Sequence, residues 1–424
     1  MTTTINKNIN ILRYSIFIIL TFFCASAFAK GDKKTHFQFY GFIRNDFYYN
    51  SRQNEQSVDG VFNTHPKPIE MKDGKDVNAT PQAQLISVCT RLGVDVTGIN
   101  MLGAASSAKV EADFAGFGSN FYVLRIRQAY AKLQWENAEI LLGQTWHPMS
   151  SIMPSVISLN TGAPFQPFNR SPQLRYTQKL GKQLYITAGA IYQMQYTSYG
   201  PGSPAAASYL NSASASYLKN AILPNFFIGL EQKNANWTNG VGFDIKTIKP
   251  DIAKITSTSA SVYSQYSNNK LQAKAKVVWG QNVSDHTMLS GYGASKIGTD
   301  GKATEYTNFN IISSWVNVVY GTTWKVGIFG GISKNFGTDK NLVLNNDQDF
   351  LVYGRGLYNF DSQILLDCLY RVSPYVSYNL SKLSIGVEYN FTSASYGELL
   401  NNGKVTNPYT VNNHRILASV IYTF

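Results

Sequence analysis

The chain is 424 residues long and carries 37 Lys and Arg against 25 Asp and Glu, a formal charge of +12, yet only 15% of it is charged and 13% is aromatic. A soluble chain of this size would divide into two or three domains, but no linker rich in Pro, Gly or charge breaks it. After the N-terminal run, no segment approaches the ~20 apolar residues of a membrane helix, and amphipathic helical periodicity is scarce, so multi-domain soluble and helical-membrane architectures are both excluded.

The N-terminus reads as a secretory signal peptide over 1–29. Lys7 and Arg13 give a basic start, an apolar run follows from Ile16 to about Phe23, and Ala27-Phe28-Ala29 supplies small residues for cleavage. Cys24 follows Phe22-Phe23 rather than the small residues that lipidation wants, which argues against a lipoprotein. The mature chain, 30–424, is expected to be one barrel domain starting at Lys30.

From there a segment of roughly 10–14 residues, alternating apolar and polar, recurs between turns. Ile86, Val88, Leu92, Val94 and Val96 are expected to face out, with Arg91, Gly93 and Asp95 between them. Ala108, Val110, Ala112 and Phe114 face out around Lys109, Glu111 and Asp113. Leu184, Ile186, Ala188, Ala190 and Tyr192 face out around Thr187, Gly189 and Gln193. Leu271, Ala273, Ala275, Val277 and Trp279 face out around Gln272, Lys274 and Lys276. Leu383, Ile385, Val387, Tyr389 and Phe391 face out around Ser384, Gly386, Glu388 and Asn390. A soluble barrel would need an apolar interior, and these charged positions cannot supply one. The fold class is therefore all-β: a transmembrane antiparallel β-barrel with a water-filled lumen.

Connections alternate in length. Short turns fall near Gly98–Gly103, Glu136–Ala138, Gly181–Lys182, Asn234–Asn236, Asn268–Asn269, Gly321–Thr323 and Ser381–Lys382. Long polar loops fall at Ser51–Pro81, Trp146–Pro172, Thr197–Pro224, Val283–Thr304, Asn335–Ser362 and Ser395–Asn413, with short outer connections near Phe117–Asn120 and Pro250–Ala253. That gives about 16 strands, with both termini periplasmic. Cys89 is expected inward and Cys368 outward, so no disulfide joins them. The final strand, His414–Phe424, alternates strictly and ends on Tyr422 and Phe424. An exposed terminal aromatic suits a barrel in lipid, and this tail resembles the C-terminal signal that the outer-membrane assembly machinery reads.

The lumen carries the informative chemistry. Expected inward bases are Arg44, Arg91, Lys109, Arg125, Arg127, Arg175, Lys246, Lys274, Lys276 and Lys325, against Asp46, Asp95, Glu111, Asp113, Asp244 and Glu388. Opposed charges across a pore order water and favour dipolar solutes. The fourth strand has a phase conflict: Arg125 and Arg127 share one face, but Ala129, Ala131 and Leu133 must face out, so a β-bulge is needed between Arg127 and Gln128 unless one stretch faces a neighbouring subunit. The third loop holds Pro148, Pro154, Pro164 and Pro167, which rule out a regular strand, and apolar Met149, Ile152, Met153, Phe165 and Phe168. It is expected to fold into the lumen and narrow it, with His147, Phe165, Phe168 and Arg170 at the constriction. The loop has no acid, which tilts selectivity toward anions. The five histidines read as solvated or structural. No Ser/His/Asp spacing, zinc pair or phosphate loop stands out, so neither enzyme activity, a cofactor nor a metal is expected.

Thr90-Arg-Leu-Gly-Val-Asp-Val-Thr-Gly98, Lys109-Val-Glu-Ala-Asp-Phe114, Leu124-Arg-Ile-Arg-Gln-Ala-Tyr-Ala-Lys-Leu133, Leu141-Leu-Gly-Gln-Thr-Trp-His-Pro148 and Arg170-Ser-Pro-Gln-Leu-Arg-Tyr176 occur in that order. Together they resemble the DcaP-like family of trimeric outer-membrane porins over the N-terminal 40% or so of the chain. The resemblance implies a sixteen-stranded homotrimeric channel for small, often anionic, solutes, with Arg91, Arg125, Arg127 and Arg175 lining the pore. Members can carry a helical segment before the barrel; only about six residues separate Lys30 from the first strand, so none is expected. A passive diffusion channel in outer-membrane lipid is the leading reading. A hydrophobic-substrate channel, a non-conducting adhesive barrel and an outer-membrane enzyme are the alternatives, and no nucleic-acid partner is expected.

Overall fold

The computed structural model describes residues 35–57, 60–116, 120, 122–202, 211–345, 349–359 and 362–424. The expected signal peptide lies outside them, as do parts of the first, second, fourth and seventh outer connections. Sixteen strands form one closed wall: β1 (His36–Asn50), β2 (in two pieces, Gln82–Ile86 and Arg91–Met101), β3 (Ala104–Asp113), β4 (Arg125–Gln134), β5 (Ala138–Trp146), β6 (Arg170–Lys179), β7 (Leu184–Ile191), β8 (Asn225–Lys233), β9 (Trp237–Ile248), β10 (Ile255–Ser267), β11 (Leu271–Gln281), β12 (Ala303–Gly321), β13 (Trp324–Thr338), β14 (Gln363–Leu380), β15 (Leu383–Leu399) and β16 (Val405–Thr423). Neighbours pair antiparallel, and β1 closes on β16 with Phe42 opposite Thr423 and Asn50 opposite Arg415. Closure leaves no unpaired edge, which hydrocarbon would penalise. Among the described residues no helix is long and apolar enough to cross a membrane.

Side chains alternate as period two requires. On β1, Arg44, Asp46, Tyr48 and Asn50 are buried inward while Ile43, Phe47 and Tyr49 are exposed outward. At the end of the wall with the short turns, outward aromatics pair: Trp237 with Tyr266 at 5.0 Å and Trp324 with Tyr378 at 4.8 Å between ring centroids. Such a girdle suits the lipid interface. Tyr422 and Phe424 are exposed at the same end. The Phe424 amide donates to the Gly41 carbonyl at 3.1 Å, and a Cβ on Gly41 would lie 2.6 Å from the Phe424 ring, so this closure needs glycine.

The short turns fall where expected. Leu102 and Gly103, both at positive φ, make the two-residue turn between β2 and β3, the twist that a tight hairpin needs. The expected bulge is present: Glu111 faces Gln128 but Ala112 faces Ile126, so Arg127 is the extra residue. It lets Arg127 and Gln128 both reach Glu111 while Ile126 stays exposed.

Two expectations are corrected. Ile86 and Val88 are buried inward, not outward. Ile86 pairs with inward Asp46 and Arg91 with Phe42, so the strand changes phase across the break at 87–90. Ser395–Asn413 is not a long loop: β15 and β16 run on until Leu399 and Val405, leaving the turn 400–404. Above the apolar band the outward face turns polar at Ser395 and Glu398, while Ala394, Tyr396, Leu399 and Val411 are buried inward, so the lipid-facing alternation gave no signal there.

Candidate functional site

The connection from β5 to β6, residues 147–169, folds into the barrel. Its prolines and irregular path leave backbone groups that no strand can satisfy, and buried backbone groups must be paired. The wall pairs them. Arg44 donates to the Ile157 carbonyl at 2.7 Å, Lys274 to Met153 at 2.9 Å, Lys276 to Met149 and Ile152 at 3.0 and 2.9 Å, and Arg371 to Ala163 at 3.2 Å. Glu388 accepts from the amides of Ile157 and Ser158 at 2.6 and 3.1 Å. The Asn317 side chain takes the Ser155 amide at 2.8 Å. These contacts come from β1, β11, β12, β14 and β15, so the loop crosses the lumen. Phe165 packs on Phe329 in the same cluster as Trp315 and Ile152.

The four residues expected at the constriction are buried beneath it instead. Phe165 and Phe168 are core, and His147 is buried with Nδ1 accepting the Met149 amide at 3.2 Å. Arg170 is fully buried, its guanidinium over Trp146 at 4.6 Å and Phe168 at 5.4 Å, with Nε donating to Gln195. The part of the loop that borders open space runs from His147 to Ile157, chiefly at Ser150–Met153 and Ser155–Ile157. It forms one side of a cavity of about 900 Å³ and of two smaller ones of about 330 and 400 Å³.

Inward charges fall into two groups. Around β2–β4 they are tied to one another. Arg127 spans Glu111 at 2.8 Å and Asp113 at 2.7 Å, Arg125 holds Asp113 at 2.7 Å, Arg91 lies 3.7 Å from Glu111, and Lys109 lies 2.9 Å from Asp95. Arg44 pairs with Asp46 on β1 at 2.8 Å. Across the lumen, Arg175 and Lys274 line the large cavity and Lys325 the two smaller ones, and none of these three forms an ion pair among the described residues. The nearest acids to Arg175 are engaged elsewhere: Glu139 with Lys132, and Glu231 with Lys233 and the Tyr263 hydroxyl. Lys276 is inward as expected, but it is 1% exposed and serves the loop rather than open space.

The other end of the lumen is packed with outer connections. Val61, Phe62, Ile86, Val88, Cys89, Ala163 and Phe168 form one apolar cluster there. His65 contacts the Tyr358 hydroxyl at 2.9 Å. Burial, with the charges of Arg355 and Arg371, pushes its pKa down to about 3. Arg371 donates to Thr64 at 2.5 Å as well as to Ala163, so one base clamps two loops. Sequence reading missed it, although Tyr370 and Val372 on either side alternate outward. It also missed Asp285 as a lumen acid; Asp285 pairs with Lys246. Cys89 and Cys368 are both free, as expected.

No protein-family model matches the sequence, and no curated protein matches it. Solved structures do. The outer membrane channel DcaP of Acinetobacter baumannii is 19% identical, with a TM-score of 0.64 over 94% of this chain and 100% of that one. OmpT of Vibrio cholerae, an outer-membrane protein, is 11% identical with a TM-score of 0.54 over 93% and 99%. An anion-selective porin from Comamonas acidovorans is 9% identical with a TM-score of 0.53 over 92% and 100%. The chain has the fold of these outer-membrane barrels, a closed wall of sixteen antiparallel strands.

Proposed function

We propose that the protein is an outer-membrane porin, a passive diffusion channel for small hydrophilic solutes and ions with a preference for anions, and not an enzyme. The observation that carries the reading is the cavity of about 900 Å³ inside a closed sixteen-stranded wall, where Arg175 and Lys274 form no ion pair while two of the three acids on its border, Glu139 and Glu231, are held by Lys132 and Lys233. A base with no paired acid lends its field to whatever occupies the space beside it. The DcaP channel and the anion-selective porin share the fold, which supports a channel without fixing a solute. On this reading Arg175 and Lys274 line the pore toward the solute. Arg91, Lys109, Glu111, Asp113, Arg125 and Arg127 form its fixed ladder, and Lys276 holds the loop. The chain acts as a homotrimer with both termini periplasmic, after the assembly machinery has read Tyr422 and Phe424. The test is reversal potential in planar bilayers under a KCl gradient. Preference for Cl⁻ is expected; clear cation selectivity would overturn the electrostatic part.

One observation favours a second reading, a non-conducting surface barrel: the apolar cluster around Phe62 and Phe168 fills part of the lumen. Single-channel recording separates the two, since a barrel that never conducts supports only the second.

A further inference from the structure

His147, Asp244 and His286 come from three separate elements: the start of the inward loop, β9, and a one-turn 3₁₀ segment (Val283–His286) in the connection after β11. One ligating atom from each lies within 4.8 Å of the other two, and His147 Nε2 is 3.3 Å from Asp244 Oδ2. All three are buried, at 1%, 2% and 1% exposure. His147 Nε2, Asp244 Oδ2 and both ring nitrogens of His286 lack any hydrogen-bond partner. Buried polar atoms are rarely left so, and three of them, one from each residue, gathered within 4.8 Å mark a missing partner. The side chain of Asn225, inward on the neighbouring strand β8, is unpartnered too.

We propose that His147, Asp244 and His286 form a binding site for one divalent transition-metal ion of the zinc type. Two imidazoles and one carboxylate suit Zn²⁺, Co²⁺, Ni²⁺ or Cu²⁺ rather than the oxygen-seeking Mg²⁺ or Ca²⁺. The local charge agrees. Lys246 is already neutralised by Asp285, which also accepts from Gln193 at 2.9 Å, so the Asp244 carboxylate is the charge left over. Ligation through His147 Nε2 puts the ring proton on Nδ1 and gives up the 3.2 Å contact from the Met149 amide. That is one long neutral hydrogen bond against three metal–ligand bonds. The His147 side borders the large cavity, which gives the ion a route in.

The ion would fasten elements that already touch. The Phe168 amide donates to the His286 carbonyl at 2.8 Å, and Asn169 donates to the Asp285 carbonyl at 2.8 Å. A metal between His147 and His286 locks both ends of this contact to the wall at Asp244.

The test uses the untagged, full-length folded protein in detergent and Co²⁺ alone as the probe. The expected result is one Co²⁺ per chain with the visible bands of a four-coordinate site, displaced by Zn²⁺, with Zn²⁺ raising the thermal unfolding temperature. Both signals should vanish in H286A and D244N and persist in H65A, whose buried histidine lies elsewhere. Cu²⁺ bound to the unmodified protein should show nitrogen coupling from two imidazoles by electron paramagnetic resonance, which needs no variant to fold. Absence of stoichiometric Co²⁺ binding, binding unchanged in H286A and D244N, or Cu²⁺ without imidazole coupling would each overturn the proposal.

Discussion

The lumen wall at β2–β4 and the wall at β6–β13 are both rich in bases, but they use them differently. Arg127 is 6% exposed and its partners Glu111 and Asp113 are 5% and 1% exposed. Every charge there has an opposite within reach, so its field closes on itself. Arg175, Lys274 and Lys325 border open space without acids of their own. The number of bases on a face therefore says little about selectivity; the position of the acids decides which bases a passing ion can feel.

The largest effect that separates the two walls is in stability. Arg127→Ala leaves Glu111 and Asp113 short of a buried partner. Breaking a buried pair from one side costs about 3–5 kcal/mol, so the barrel should unfold at markedly lower temperature, followed by loss of the compact band on unboiled gels. Arg175→Ala breaks no pair, and its unfolding should stay within about 0.5 kcal/mol of the parent. Equal destabilisation by the two would erase the distinction.

Next comes the loop. Glu388→Gln keeps the shape at a side chain that receives two loop amides. Replacing charge-assisted by neutral hydrogen bonds should cost about 1–2 kcal/mol. The strain falls on Ile157 and Ser158, so larger and noisier single-channel currents are expected. Unchanged current noise would mean that the loop is held without Glu388.

Much of this was legible in the sequence, for a physical reason that also explains what was not. Period two identifies the lipid face because lipid demands apolar side chains, and the conflict at Arg127–Gln128 revealed a bulge because only an extra residue resolves it. Beyond the lipid that demand ends. Ile86 and Val88 are apolar because they pack on Phe62 and Phe168, and periodicity could not distinguish that from lipid contact. The roles of Arg44, Lys274, Lys276 and Glu388 as loop anchors depend on backbone atoms of a distant segment, which no pattern in their own strands encodes. The histidines at 147 and 286 were read as separate residues because the barrel, not their spacing, brings them together.

A smaller effect is expected in selectivity. Arg175→Ala and Lys274→Ala should each move the reversal potential toward cations, and the double variant should move it further. The pair Arg125→Ala and Arg127→Ala is not read the same way: it bares Glu111 and Asp113, so a shift in that variant would report exposed acids as well as lost bases. Screening resolves the ambiguity and gives the smallest and most discriminating prediction. The Debye length falls from about 10 Å at 0.1 M to about 3 Å at 1 M salt. Unpaired bases bordering an open cavity are screened over that range, whereas a buried ladder is not. Anion preference should therefore weaken steadily from 0.1 to 1 M KCl in the parent and be nearly flat in the Arg175→Ala, Lys274→Ala double variant. A preference that ignores salt in the parent would place its source in the ladder, and the wall that pairs its charges would then be the one that selects.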